Sequence, residues 1–252
     1  MIALRFVFVA VIGLIRADSS ESAGVKAGCS AETPANLDQC KKAITNIKLD
    51  NGKLPGNEPE IRAISDSCSI VVLNRQLVKD VTPDQITEAL NTHFKNCPSQ
   101  GGSIALLGHK DRVFLQIKTR NPVGSKDEAL NADAELNKPY CSQPKTRPST
   151  TSFSDDCLAA YKNFRANPNT GILTIPGPKG SQVISASCMI QITTTDGTEA
   201  KIKKADADSF ITAMIKSCDK NPGAVNLIGA LGKNGRVLVQ TIFDPQAGDQ
   251  KP

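Results

Sequence analysis

Apolar positions along this chain follow a helical period and then a strand period, and the chain runs through that alternation twice. Leu37, Cys40, Ile44 and Ile47 fall on one helical face, as do Cys157, Tyr161 and Phe164. Asn36 and Ser154 stand at the two starts as N-cap residues, with acidic side chains in the turn that follows. Turns rich in Gly, Pro and Asn come next, over 51–59 and 167–179. A strand then begins at a cysteine: Cys188, Ile190 and Ile192 alternate with Met189, Gln191 and Thr193, while Ser69 to Leu73 is more continuously apolar. Thr82-Pro83-Asp84-Gln85 opens a second helix with a cap, a first-turn proline and a capping box. Its apolar stripe is Ile86, Leu90, Phe94 and Cys97, matched in the other copy by Ile211, Met214, Ile215 and Cys218.

Each copy closes in a hairpin, Ser103 to Leu107 with Arg112 to Lys118, and Ala224 to Ile228 with Arg236 to Ile242. Asn234-Gly235 predicts a tight turn with positive φ in the second. The order helix, one or two strands, helix, two strands predicts an α+β fold. Each copy is expected to be a two-layer α/β sandwich of ferredoxin-like character, an antiparallel sheet with both helices on one face.

The cysteines fall in step with that repeat. Cys29, Cys40, Cys68 and Cys97 are separated by 11, 28 and 29 positions, and Cys141, Cys157, Cys188 and Cys218 by 16, 31 and 30. Asp38-Gln39-Cys40 matches Asp155-Asp156-Cys157, and Ser65-Asp66-Ser67-Cys68 matches Ser185-Ala186-Ser187-Cys188. Arg112-Val113-Phe114-Leu115-Gln116 likewise matches Arg236-Val237-Leu238-Val239-Gln240. The expected organisation is a leader over 1–17, a first domain over 18–120, a linker over 121–140 and a second domain over 141–252. No Lys-Arg or Arg-Arg pair interrupts the linker, so the two domains are expected to stay joined.

The leader carries Arg5 within an apolar run and closes on a small residue before polar Asp18-Ser19-Ser20-Glu21, the layout of a secretory signal. That run is shorter than a membrane span, and no later stretch approaches one. Loss of Arg5 and Arg16 lowers the formal charge of +5 to about +3, too mild to point to nucleic acid. Eight cysteines in an exported chain predict four disulfides. Their spacing lacks the close pairs of a zinc site. Four cysteines per repeat permit three pairings. Antiparallel helices, which set the start of the first against the end of the second, favour Cys40-Cys97 and Cys157-Cys218, leaving Cys29-Cys68 and Cys141-Cys188.

Candidate chemistry is sparse. His93 on the second helix and His109 in the first hairpin turn have no counterparts in the other copy; they read as a helix-surface or boundary histidine and a turn residue. Asp155 and Asp156 read as helix-start acids and not as a catalytic pair, because adjacent residues point apart on a helix. Gly101-Gly102 and the glycines of Gly229-Ala230-Leu231-Gly232 read as strand-entry and hairpin-turn glycines, since no helix follows them to hold a phosphate. No catalytic residue, metal ligand or cofactor is assigned. Two basic groups remain as surface-contact candidates: Lys110, Arg112, Lys118 and Arg120 on the first hairpin, and Lys201, Lys203 and Lys204 before the last helix, in a solvated loop. On the first hairpin Val113, Leu115 and Ile117 are expected to face the core.

The Asp-x-Cys helix start, the Ser-x-Ser-Cys lead into an apolar strand, the cysteine-terminated helix and the Gly-rich closing hairpin resemble the killer-toxin-like effectors secreted by fungi. That group includes the virally encoded killer toxins of smut fungi and the necrosis-inducing effectors of plant pathogens. The resemblance covers roughly 29–120 and 141–244. It implies a small α/β sandwich, an apoplastic location and a role in host interaction or antagonism of competitors. The chain departs from the toxin precursors in lacking dibasic sites between repeats. The expected function is therefore a secreted, non-catalytic, monomeric effector or toxin. Its expected partner is a host or competitor protein, a membrane surface or a wall polymer. A carbohydrate-binding wall protein, its joined domains adding avidity, is the second reading, weakened by two tyrosines and no tryptophan. A secreted hydrolase is the third.

Overall fold

The computed structural model describes residues 27–109, 111–125, 127–143 and 152–244. The expected leader and Lys110 lie outside the described residues. The first half contains β1 (Gly28–Pro34), α1 (Leu37–Thr45), β2 (Glu60–Ser65), β3 (Cys68–Leu73), α2 (Pro83–Asn96), β4 (Gln100–Ala105) and β5 (Phe114–Thr119). The second half contains β6 (Pro139–Cys141), α3 (Phe153–Lys162), β7 (Ile172–Ile175), β8 (Ser181–Ser185), β9 (Cys188–Thr194), β10 (Ala200–Lys203), α4 (Lys204–Cys218), β11 (Gly223–Leu227) and β12 (Val237–Phe243). The two five-stranded sheets have corresponding orders, β1-β4-β5-β3-β2 and β6-β11-β12-β9-β8. All their strand pairs are antiparallel. β7 and β10 form a separate antiparallel pair found in the second half alone.

Local chemistry sets the helix starts. Asn36 Oδ1 accepts the Gln39 amide at 3.1 Å. Thr82 and Gln85 cap α2 reciprocally. α3 starts one residue after Ser152, ahead of the expected Ser154, because Phe153 is drawn into the core against Phe243 at a ring separation of 4.3 Å. In each half the helices cover one sheet face. Ile44, Ile61, Ile70, Ile86, Leu90, Leu115 and Ile117 fill the first core; Phe153, Ile190, Ile192, Ile211, Met214 and Val239 fill the second. Val113, Leu115 and Ile117 all point inward as expected. The segment between the halves carries a 3-10 turn, Glu128–Leu130, whose Ala129 packs with Ala224 and Leu238.

The disulfides are Cys29–Cys97, Cys40–Cys68, Cys141–Cys218 and Cys157–Cys188, not Cys29-Cys68, Cys40-Cys97, Cys141-Cys188 and Cys157-Cys218. The reason is an edge strand that the apolar pattern did not reveal. β1 sets Cys29 opposite Gly102 on β4, beside the end of α2 and hence Cys97. Cys40 on α1 then faces the start of β3 at Cys68, with Cα atoms 5.2 Å apart. β6 does the same for Cys141 beside β11.

His93 is buried and not on the helix surface. Its Nε2 lies 3.1 Å from the Gln100 carbonyl, in space left open by Gly102, whose missing Cβ would come within 3.0 Å of the imidazole. Asn234 and Gly235 lack positive φ, because the long connection from Leu227 to Val237 does not need the tight two-residue turn.

All eight cysteines are paired, which marks a protein that matures in an oxidising compartment. Among the described residues no helix is long and apolar enough to cross a membrane. Peptide mapping of the non-reduced protein is expected to recover Cys29 linked to Cys97 and Cys40 linked to Cys68. Replacing Cys40 and Cys68 together by alanine is expected to lower unfolding stability in urea by about 3 to 4 kcal/mol, through the lost constraint on the unfolded chain.

Candidate functional site

The loop between β11 and β12 joins the two halves. It leaves β11 at Leu227, is pinned to β10 by Lys201 N–H donating to the Gly229 carbonyl (3.0 Å) and Leu231 N–H donating to the Glu199 carbonyl (2.9 Å), and then reaches the first half. Glu58, in the turn before β2, is 0 % exposed and takes the loop's donors. Its Oε1 accepts the Lys233 amide and, at 3.2 Å, the Asn234 amide; its Oε2 accepts Asn234 Nδ2 at 2.8 Å. Asn234 also accepts the Lys48 amide through Oδ1 (2.8 Å) and donates to the Lys48 carbonyl (3.0 Å). The Lys233 ammonium pairs with Asp50.

A second buried carboxylate backs this junction. Asp196, 1 % exposed, accepts the Thr198 amide (3.1 Å) and hydroxyl (2.9 Å). The Thr198 hydroxyl oxygen in turn accepts the Gly232 amide (3.1 Å), and the Asp196 carbonyl accepts the Glu60 amide (3.1 Å). Gly232 and Gly235 lie so close that a Cβ on either would overlap the Asp196 carboxylate, and one on Gly232 would also press on Glu58. These glycines serve close approach. Burial pushes the Glu58 carboxyl above its ordinary 4.5. The hydrogen bonds from Asn234 and Lys233 oppose that rise, and the charge of Asp196 adds to it.

Beside the junction lies a cavity of about 510 Å³, walled on one side by Asn46, Lys48 and the β2 residues Arg62–Ile64, and on the other by Leu136 and the loop. Its charged lining is Lys48, Arg62, Lys233 and Arg236 against Asp133. Arg62 pairs with Glu60 at 2.5 Å, whereas Lys48 has no ion pair among the described residues. The half-buried Arg236 guanidinium donates to the Ala134 carbonyl. Burial pulls its pKa below the usual value, with Asp133 opposing, and it stays charged. Ile228 and Leu231 stand out of the loop at 76 % and 54 % exposure.

The basic residues expected at a surface divide between places. Lys201 and Lys203 are on β10 and Lys204 begins α4, so they do not form a solvated loop. Lys201 and Lys203 line a smaller hollow of about 390 Å³ on the other side of Ile228. Lys204 donates to the Phe164 carbonyl (3.0 Å) and lies 5.3 Å from the Tyr161 ring centroid, so it is held within its own half. Arg112 and Arg120 sit at opposite ends of β5, roughly 26 Å apart along an extended strand, and do not make one patch. Arg120 pairs with Asp133 at 2.7 Å, and Lys118 is exposed on β5. Asp156 anchors α3 to the β8–β9 turn by accepting the Ser187 hydroxyl at 2.5 Å. Glu58, Asp196, Lys48, Arg62, Arg236 and Ile228 were not anticipated. An acid beside Pro59 and an isoleucine in a hairpin connection were the only signals, and neither names its partner. Among the described residues no group of His, Cys, Asp and Glu side chains could hold a metal ion.

Neither a protein-family model nor a curated protein sequence matches this chain. Two solved structures are similar along most of its length. One is the tandem DUF26 ectodomain of the Arabidopsis thaliana cysteine-rich receptor-like protein PDLP8, 13% identical, covering 87% of this chain and 97% of that one, with a TM-score of 0.26. The other is the corresponding ectodomain of PDLP5, 10% identical, covering 86% and 98%, with a TM-score of 0.27.

Because Glu58 is raised in the folded state, its stabilising contribution is full below about 4.5 and is lost as pH rises through the raised value. Thermal melts of the wild type and Glu58→Gln from about pH 4 to about pH 8 should diverge, the wild type losing stability relative to the variant as pH rises. A constant difference across the range would remove Glu58 from the linkage.

Proposed function

We propose that the protein is a secreted effector or toxin of the killer-toxin-like type, acting without catalysis by binding a host or competitor target at the cleft between its halves. The carrying observation is the β11–β12 loop, hydrogen-bonded to both halves, which presents Ile228 and Leu231 to solvent beside the cationic lining of Lys48, Arg62, Lys233 and Arg236. Large apolar side chains held out of a fixed loop next to charge are a feature of contact surfaces. The two buried carboxylates nearby are occupied in hydrogen bonds that join the halves, so their placement serves the shape of this surface. Four disulfides suit a protein that works outside the cell. The cysteine spacing shared by both halves supports the effector reading over a wall-binding one, for which exposed aromatic platforms would be wanted.

Purified oxidised protein is to be infiltrated into plant leaf tissue and applied to growing fungal cells, with a reduced and alkylated sample as control. Activity in at least one assay, abolished by reduction and weakened about tenfold by Ile228→Ser with Leu231→Ser, is the expected outcome. Full activity after reduction, or from the double variant, would count against the loop. Silence in both assays would count against the effector reading as a whole.

A further inference from the structure

The wall of the cleft supplied by the first half is the free edge of a sheet. β2 pairs with β3 alone, and its other edge faces the second half. The direction of its backbone groups follows from the bonds at its ends. The Asn74 amide donates to the Pro59 carbonyl on the β3 side, so odd-numbered residues turn toward β3. Even-numbered residues turn outward: the Glu60 amide donates to the Asp196 carbonyl, and the Ile64 carbonyl accepts Asn46 Nδ2 at 2.8 Å. Between these two plugs lie the Glu60 carbonyl, both backbone groups of Arg62 and the Ile64 amide. None of these four has a partner among the described residues. An open run of donors and acceptors is a template for another strand, and proteins ordinarily cover or blunt it. Here it is left open along a cavity of about 510 Å³, within the roughly 300–1,000 Å³ of ligand pockets.

We infer that the cleft binds an extended, acidic peptide segment of a partner protein, which adds as a strand to the open edge of β2 at Arg62. This deepens, and rests on, the target-binding reading of the same cleft. Main-chain bonds to Arg62 supply the pairing. Lys48, which has no ion pair among the described residues, and Arg236 beside the strand select carboxylate side chains at alternate positions, and Leu136 and Ile228 receive the apolar ones between them. The Asp196 and Asn46 plugs limit the pairing to a short stretch, which keeps the edge from recruiting long strands or further copies of the chain.

The probe is a blocked synthetic hexapeptide of alternating glutamate and valine, titrated into the full-length oxidised protein and followed by amide shifts and hydrogen exchange. Binding with slowed exchange of the Arg62 amide is expected. Methylating alternate backbone nitrogens of the peptide should weaken it about tenfold or more, and a lysine-valine counterpart should not bind. Arg62→Pro removes the outward amide at a position where an edge strand tolerates proline, and should abolish binding. Arg62→Ala keeps the amide, and should weaken binding while retaining sensitivity to methylation. No binding, or binding indifferent to backbone methylation, overturns strand addition. If Arg62→Pro fails to fold, the methylated peptide decides alone. Leaf or fungal activity surviving in a folded Arg62→Pro variant would sink this inference and leave the effector reading standing.

Discussion

The arrangement of the two halves depends on one buried carboxylate. Glu58 is out of solvent, and the loop of the other half brings two backbone amides and the Asn234 side chain to meet its carboxyl oxygens. A buried acid without such donors would be strongly unfavourable, so the loop and the turn before β2 are held as a pair. Asp196 stands behind the loop in the same way, and the glycines at 232 and 235 let the backbone come close enough for both. Once that junction is set, the separation of β2 from the loop is set too, and with it the width of the cleft.

The junction rests on two small cores that contain few aromatic residues. Each core is closed by a helix-to-strand disulfide near α1 or α3 and a second one that ties an edge strand to the end of α2 or α4. The bridges stabilise mainly by restricting the unfolded chain, the usual supplement where apolar burial is modest. They also hold β1 and β6 in place. In the first half this leaves β2 as the unpaired edge turned toward the cleft.

The helices, the central strands and the repeat were legible in the sequence because each is governed by local chemistry. Thr82 with Gln85, Asn36 with Gln39, and the alternation from Cys188 to Thr194 act within a few residues of one another. β1 and β6 carry little apolar pattern; they are strands because β4 and β11 lend them hydrogen bonds. Antiparallel helices alone would set Cys40 against Cys97 and Cys157 against Cys218; β1 and β6 bring Cys29 and Cys141 into those places instead. His93 lies three residues after the buried Leu90, on the helix face turned to the sheet, but only the space left by Gly102 explains why that position admits a histidine. The site was the least legible part, since Glu58 and Asn234 are distant in sequence and neither resembles a motif.

By itself, the sequence determined what neighbours can decide: where the helices and the central strands lie, which of their faces turn inward, that the pattern occurs twice, and that the eight cysteines pair in an oxidised framework. The tertiary structure alone decided which cysteines meet, where the edge strands lie, and how the halves dock. Those outcomes turn on long-range hydrogen bonds and close backbone approach, as when Gly232 makes room for Asp196. Such contacts leave no periodic trace along the chain, because each partner is an ordinary loop residue until the other is brought beside it.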